Sequence, residues 1–451
     1  MAKRVNLLEG NIAVSLTKLS LPIMGMSFLQ MAYNLTDMFW IGKLGSGAVA
    51  SVGTGGILVW LSMGIHTIAQ LGGQVNVAQN LGAEKHKEAG GFAHAAIYIS
   101  ALCSLILGLV FTIGINPVVS FFALNSQEVI DDAKTYIIVC CGLIFFQLMA
   151  KLLTALITTT GDSKTPFFAT TVGLVFNIIL DPLLIFGFWI IPPLGVLGAA
   201  IATVLAQIIV FVILLRSCIK DTHLFIYVNI LKLPEMDKLK KILKLGLPTT
   251  LQASLFPLIS MYISRMVAGF GDDAVAVQRI GSQIESLSWM TTDGFAVAVN
   301  SFIAQNFGAK NLERIKKGFF QALSILSVYG LFVTAFLILC AEMLFSIFLQ
   351  DQQVLLLGID YLVILGISQL SLCHEILSSS AMNALGITKL PAVISISMTA
   401  IRIPLAIFLS ATALGLNGIW WAVSISTIIK GAFLLIAVIL IINKTTKKRA
   451  L

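Results

Sequence analysis

One carboxylic acid lies deep inside an apolar stretch, where an ionised side chain is energetically costly. Asp181 is the first charged residue after Lys164, and the apolar run 165–188 is long enough to cross a bilayer as a helix of ~1.5 Å per residue. Asn177 precedes it by four residues, so both side chains share one helix face. Pro182 follows and removes a backbone donor beside the acid. Because an ionised carboxylate inside a span is costly, the pattern predicts a cation or proton site.

The composition predicts the class of protein that surrounds this acid. Of 451 residues, 58% are hydrophobic and only 11% are charged, whereas soluble domains have about 25% charged residues. The chain is therefore predicted to be a polytopic membrane protein with no removable signal peptide. The six cysteines contain no Cys-x-x-Cys pair, which favours small buried side chains over disulfides or zinc ligands.

Apolar runs predict an all-α protein with twelve transmembrane helices. Their predicted ranges are 15–41, 48–80, 91–115, 133–160, 165–188, 194–216, 243–268, 274–306, 318–341, 354–385, 390–412 and 416–442. Lys and Arg concentrate in alternate loops and at both ends of the chain, while the opposite loops collect acids and Lys43 alone. This bias predicts cytoplasmic termini in a multi-pass protein of the inner membrane. It also accounts for the net charge of +8 without nucleic acid as a partner.

The sequence repeats itself. Leu19-Ser-Leu-Pro22 returns as Leu245-Gly-Leu-Pro248, and Ala78-Gln-Asn-Leu-Gly-Ala83 returns as Ala304-Gln-Asn-Phe-Gly-Ala309. Both pairs are separated by 226 positions (248 minus 22). A third block, Gly161-Asp-Ser-Lys-Thr-Pro166, matches the segment that starts at Gly386. We therefore predict two pseudo-symmetric six-helix lobes, residues 1–216 and 244–451, joined by a cytoplasmic linker at 217–243.

With these blocks in view, the chain resembles a multidrug and toxic compound extrusion (MATE) transporter of the DinF-like prokaryotic branch. The likeness covers nearly the whole chain and includes the Leu-Pro, Gln-Asn and Gly-x-x-Lys-x-Pro blocks. The resemblance implies a V-shaped pair of lobes and efflux of organic, often cationic, compounds in exchange for protons or sodium. It also implies a coupling site made of Asp37, Asn177, Asp181 and Tyr136, with a hinge at Pro22. Another branch has a sodium-binding Glu after the second Leu-Pro, where this chain has Phe256-Pro257.

Two of these positions allow more than one interpretation. Asp37 lies near the outer end of the first span and is either an interfacial carboxylate or a partner of Asp181 in a shared cavity. Because the repeat has Ile263 at the matching position, the scaffold alone does not require an acid there. Two carboxylates in one apolar pocket would repel and titrate as a coupled pair. Thr203 either supplies a hydroxyl to this site or bonds a carbonyl of its own helix.

The second half has charged residues of its own near mid-membrane. Glu285, Arg402 and Lys430 lie in the middle of three predicted spans, and Arg402 takes the repeat position of Asn177. Isolated charges at this depth are expected to pair. They form either a structural ion-pair network or a substrate or second coupling site.

These observations predict a secondary active multidrug efflux transporter that is not an enzyme. It would act as a monomer in the lipid bilayer, with small organic drugs as substrates and H⁺ or Na⁺ as the coupling ion, and without a cofactor. No Walker A motif or catalytic triad pattern is present, so ATP-driven or enzymatic chemistry is not favoured. The alternatives are a flippase of lipid-linked precursors and, from another class, a membrane enzyme or receptor-like binding protein.

Overall fold

The structure is a computed structural model that describes residues 4–122, 124, 126–189, 192–229, 232–348 and 351–447. It is built from α-helices, as the apolar runs predict. The α-helices are α1 (Ile12–Gly42), α2 (Ser46–Gly82), α3 (His86–Ile113), α4 (Ile115–Phe121), α5 (Gln127–Tyr136), α6 (Phe145–Thr159), α7 (Lys164–Ile185), α8 (Gly195–Ile219), α9 (Met236–Ala268), α10 (Asp272–Gly308), α11 (Leu312–Leu339), α12 (Ala341–Ser346), α13 (Gln352–Gly366), α14 (Gln369–Ala384), α15 (Lys389–Ala400), α16 (Arg402–Ser410) and α17 (Leu416–Lys447). A π-helical turn, Ile137–Cys141, joins α5 to α6, and Phe225–Tyr227 form a 3₁₀ turn after α8.

Most of these helices are suited to a bilayer. Within the described residues, nine helices are long and apolar enough to cross a membrane, and eleven spans result if two bent pairs each count as one. These pairs are α5–α6, bent by 41°, and α13–α14, bent by 43°. The remaining predicted span, 274–306, corresponds to α10, a 37-residue helix whose charged residues make it less apolar. The all-α membrane fold is thus confirmed, with nine to eleven candidate spans in the described residues.

The exposed surface is rich in apolar side chains, as expected for a protein that lipid surrounds. Ile113 and Leu339 are about four-fifths exposed, and Val328 and Leu440 also extend outward from long helices. A soluble protein rarely exposes contiguous apolar surface on this scale. The molecule is therefore a multi-pass membrane protein.

The internal repeat extends to backbone geometry. Gly45 and Gly271 precede α2 and α10 with φ angles of 114° and 110°. Glu84 and Lys310 follow the same two helices with φ angles of 59° and 60°, which is unusual for residues with a side chain. Corresponding turns thus have the same conformation, and the sequence repeat is a structural repeat.

Contacts divide the chain into two units. Unit 1 comprises Arg4, Val5 and 25–250, and unit 2 comprises 6–24 and the residues from 251 onward. The two breaks in α1 and α9 are thus equivalent, because each lies two residues after a repeated proline, Pro22 or Pro248. The predicted lobe and linker boundaries differ from this grouping at 6–24 and 217–250, and they stay a prediction.

Side-chain contacts explain why residues 6–24 group with unit 2. Asn306 and Arg314 donate to the carbonyl of Leu7 at 3.0 and 3.2 Å, and Arg314 also donates to the carbonyls of Glu9 and Gly10. The backbone of Met24 lies against Gly294, where a Cβ would be 3.1 Å from the Met24 Cα. Arg4 and Val5 instead contact unit 1, where Val5 N–H donates to the Gly161 carbonyl at 3.0 Å.

Candidate functional site

Asn177 and Asp181 form the centre of a buried polar cluster in unit 1. They lie one turn apart on α7, and Asn177 Nδ2 donates to Asp181 Oδ1 at 3.0 Å. Neither side chain is exposed. Pro182 continues α7 without a backbone N–H, so it cannot donate to the carbonyl of Ile178 one turn earlier. The local sequence thus fixes the amide against the carboxylate, as helix periodicity predicts.

Asp37, from α1, joins this cluster. It lies near enough to Asp181 for the two negative charges to repel each other. The Oδ1 atom of Asp37 and the Oδ2 atom of Asp181 are both buried, and neither has a hydrogen-bond partner among the described residues. Asp37 itself is only partly buried. The structure therefore brings the two acids together and leaves one oxygen of each available to a proton or another cation.

Tyrosine and threonine hydroxyls complete the surroundings of the acids. Tyr33 lies one turn before Asp37 on α1, interacts with both carboxylates, and faces the Thr203 hydroxyl of α8. Thr203 makes no hydrogen bond to a carbonyl of its own helix within the described structure. The interpretation in which Thr203 faces the site thus agrees with the geometry. The sequence suggested Tyr33 only as part of an apolar wall near the cleft and not as a member of this acid site, although its spacing from Asp37 was a usable signal.

Tyr136 also belongs to the cluster. It is buried at the end of α5, directly before the π-helical turn, and it interacts electrostatically with Asp37 and Tyr33. Its ring lies on Gly55 of α2, where an added Cβ would be 2.4 Å from a ring carbon. Glycine at this position thus lets α2 approach closely enough for the tyrosine ring to fit.

The predicted hinge residue, Pro22, lies inside α1. It precedes the division between the two units, which falls between Met24 and Gly25. A helix that contains proline lacks one backbone hydrogen bond and bends more easily there. The position is consistent with a hinge, and that role stays a prediction.

Glu285, Arg402 and Lys430 do not form ion pairs with one another. Lys430 forms an ion pair of 2.8 Å with Glu375. Arg402 donates to the hydroxyls of Ser426 and Thr427 at 2.8 and 2.9 Å. Glu285 accepts a long hydrogen bond of 3.5 Å from Tyr361. Each of these three charged side chains thus has a polar partner, and the partner of Lys430 is an acid on α14.

The acid cluster in unit 1 has the chemistry of a cation-binding pocket. Its members in the described structure are two carboxylates, one amide and three hydroxyls, none of them cationic. Two acids that repel in a water-poor pocket favour a proton held by one of them. No group of three His, Cys, Asp or Glu side chains suited to a bound metal occurs in the described ranges.

Comparisons with known proteins agree with this architecture. The family model MatE matches residues 22–183 and 248–408, which are the two repeats. The "Probable multidrug resistance protein NorM" of Thermotoga maritima is 28% identical over 412 residues, 91% of this chain and 88% of that protein. The "Probable multidrug resistance protein YoeA" of Bacillus subtilis is 28% identical over 415 residues, which cover 90% of this chain and 89% of that protein. The crystal structure of MATE in the bent conformation has the same fold, with a TM-score of 0.91, 23% identity and full coverage of both chains.

Proposed function

Because the chain belongs to the MatE family, a family of transporters, we propose that it exports organic, often cationic, compounds in exchange for protons that bind at Asp37 and Asp181. Family membership makes the chain a multidrug efflux transporter and not an enzyme, as the sequence predicts. The coupling ion and the exchange mechanism are our proposal. We also propose that it acts as a monomer in the inner membrane, with both termini in the cytoplasm.

The arrangement of Asp181 is the observation that best supports the proposal. Its carboxylate is fully buried, has one amide donor, and lies within electrostatic range of Asp37. An acid in that position gains from any positive charge that enters the pocket. A proton from outside and a cationic compound from inside would therefore compete for the same negative charge.

Competition of this kind produces exchange. When a proton binds to Asp181 or Asp37, the pocket loses one negative charge and holds an organic cation less strongly. The hydrogen bond between Asn177 and Asp181 then rearranges, and α1 bends near Pro22. The membrane potential supplies about 2.3 kcal/mol for each charge per 100 mV, and each pH unit adds about 1.4 kcal/mol.

Sodium is the competing coupling ion. Carboxylate, amide and hydroxyl oxygens are hard ligands of the type that sodium would accept, so Asp37, Asp181, Asn177 and Thr203 allow both ions. We favour the proton because Asp37 and Asp181 repel each other, and a proton bound to either carboxylate removes that repulsion. The experiment is ethidium efflux from proteoliposomes in which a pH gradient or a sodium gradient is imposed separately. Efflux that follows the pH gradient at zero sodium supports the proposal, and efflux that requires sodium contradicts it.

A further inference from the structure

The repeated blocks near the start of α1 and α9 each contain a lysine and a leucine that are both exposed. Lys18 and Leu21 on α1 return as Lys244 and Leu247 on α9, at an offset of 226 positions (244 minus 18). Both lysines are exposed, and the two leucines are 60% and 51% exposed. Because three residues separate the members of each pair, they lie on one helix face. The repeat thus keeps an outward pair that packing within a unit does not require.

The opposite face of α9 is packed tightly against unit 1. Ile242 and Gly246 lie one turn apart on that face, and both are buried. A Cβ added to Gly72 of α2 would be 2.6 Å from the carbonyl oxygen of Ile242, and one added to Gly246 would be 2.4 Å from that of Ile68. Backbones this close fix the rotation of α9 about its axis. The exposed lysine and leucine of α9 therefore point away from α2.

The first part of α1 is held in the same way within unit 2. Leu16 and Leu19 are fully buried, and Ser20 is nearly so. The backbone of Met24 lies against Gly294, where an added Cβ would be 3.1 Å from the Met24 Cα. The exposed lysine and leucine of α1 thus also lie on the side opposite to the packed face.

Neither lysine of these pairs binds an acid of the protein. Among the described residues, lysines form ion pairs only at Lys238, Lys317 and Lys430. The ammonium groups of Lys18 and Lys244 are therefore available to an external anion, and phosphate is an anion that lysine binds well. The exposed leucine on the same face adds apolar surface that a soluble phosphate would leave uncovered. The combination favours a ligand with both a phosphate and a hydrocarbon part.

The order of the two residues along each helix matches the order of groups in a lipid leaflet. Each lysine precedes its leucine by about 4.5 Å along the helix axis, at ~1.5 Å per residue. With both termini in the cytoplasm, the lysine lies nearer to the cytoplasm and the leucine nearer to the centre of the bilayer. A lysine stem can lie on apolar surface while its ammonium group reaches the headgroups. The inner leaflet presents phosphate and acyl chain in this same order.

We propose that the two pairs are equivalent binding sites for anionic phospholipids of the inner leaflet, one in each unit. The ammonium group of Lys18 or Lys244 binds the headgroup phosphate, and Leu21 or Leu247 contacts the first part of an acyl chain. The assignment rests on the proposed cytoplasmic position of both termini. It does not depend on the exported compound or on the coupling ion.

The test is titration of the full-length protein in detergent with phosphatidylglycerol or phosphatidylcholine, with each bound lipid counted by native mass spectrometry. Since a lysine near an anionic headgroup changes affinity about fivefold, the wild-type protein is expected to bind two phosphatidylglycerol molecules about fivefold more tightly than phosphatidylcholine. The double variant Lys18→Gln/Lys244→Gln is expected to reduce this ratio to about one. An unchanged ratio in that variant, or equal binding of both lipids by the wild-type protein, would overturn the proposal.

A matched control separates the proposed sites from net charge. Lys85→Gln/Lys310→Gln also removes two exposed lysines, but an acid, Glu88 or Glu313, follows each of them three residues later. This variant is expected to keep the fivefold ratio, and an equal loss there would mean that only total charge matters.

The apolar half of each site has its own variant. Leu21→Ser/Leu247→Ser is expected to weaken both lipids alike and to keep the ratio. Displacement of bound phosphatidylglycerol by excess glycerol phosphate would assign the lysines to a soluble anion and overturn the proposal. Because binding is measured without a gradient or a drug, these outcomes are independent of whether protons drive efflux.

Discussion

Asn177 donates a 3.0 Å hydrogen bond to Asp181, one turn further along α7, and both side chains are completely buried. The bond satisfies one oxygen of the carboxylate, while the other oxygen has no partner in the described structure. This half-satisfied state is expensive to keep unless a mobile cation completes it. Repulsion between the carboxylates of Asp37 and Asp181 adds to this cost, so binding of one positive charge is favoured here.

Asp181→Asn is expected to abolish the response of efflux to a pH gradient. The amide neither binds nor releases a proton and removes the repulsion with Asp37. Efflux of ethidium from proteoliposomes should therefore become at least tenfold less sensitive to the imposed gradient. Glu128→Gln is the matched control, because it removes an exposed acid at the start of α5. Wild-type dependence on the gradient in Asp181→Asn would contradict the assignment of this residue.

Gly55→Ala should disturb the cluster through its neighbour, Tyr136. The new Cβ would lie 2.4 and 2.8 Å from two carbons of the Tyr136 ring, so the ring must move. Overpacking of this kind costs about 1–3 kcal/mol. We expect a lower Tm in detergent and weaker gradient-driven efflux.

Gly56→Ala is the control for this substitution. No described atom lies within 4 Å of the position of its Cβ, so the variant should keep the Tm and the transport rate of the wild type. If Gly55→Ala also behaved as the wild type, close packing of α2 on Tyr136 would not matter for function.

Contacts between residues that are close in the sequence could be predicted, whereas contacts between different helices could not. The Asn177–Asp181 pair could be predicted because a four-residue spacing on a helix fixes which side chains meet. The role of Tyr33 in the cluster was missed because an aromatic residue in a span faces lipid or packs on other helices more often than it meets an acid. Its distance from Asp37 is local, but the contact with Thr203 on α8 depends on how α1 and α8 pack.

The charged residues of the second half likewise have partners on other helices that the sequence did not predict. The repeat predicts that Arg402 takes the position of Asn177, because the two residues lie at the same offset as the repeated blocks. It did not predict that Arg402 bonds hydroxyls on α17 or that Lys430 pairs with Glu375, since these partners depend on the rotation of α14 and α17 about their axes. The order of helices thus follows from hydropathy, whereas long-range side-chain partners require the packed structure.

Lys430→Met is expected to destabilise unit 2 strongly. It leaves Glu375 as a buried acid without its 2.8 Å partner, and breaking a buried pair in this way costs about 3–5 kcal/mol. The double variant Lys430→Met/Glu375→Leu removes both charges and should recover most of that loss. Thermal unfolding in detergent measures both, with Lys316→Met as an exposed control. A double variant no more stable than Lys430→Met would show that the pair is not an independent unit.

Asp221 allows a prediction about pH, because it lies in the loop after α8, outside the spans. Burial alone would raise the pKa of its carboxyl, but hydrogen bonds from the Leu224 and His223 backbone N–H groups, together with the Arg4 guanidinium, hold the pKa below its ordinary value. The two backbone bonds are 2.9 and 2.6 Å long. A lowered pKa in the folded state means that the ionised carboxylate stabilises the fold above the unfolded-state pKa of about 3.9.

Asp221→Asn should therefore lower the Tm at pH 7, and the difference from the wild type should shrink as the pH falls below about 4 and the carboxylate takes up a proton. Thermal unfolding in detergent between pH 7 and pH 3 measures this dependence. The control, Asp237→Asn, removes an exposed acid at the start of α9 and should leave the Tm nearly unchanged throughout the range. A deficit of Asp221→Asn that stayed constant down to pH 3 would mean that the side chain contributes through packing rather than through its charge.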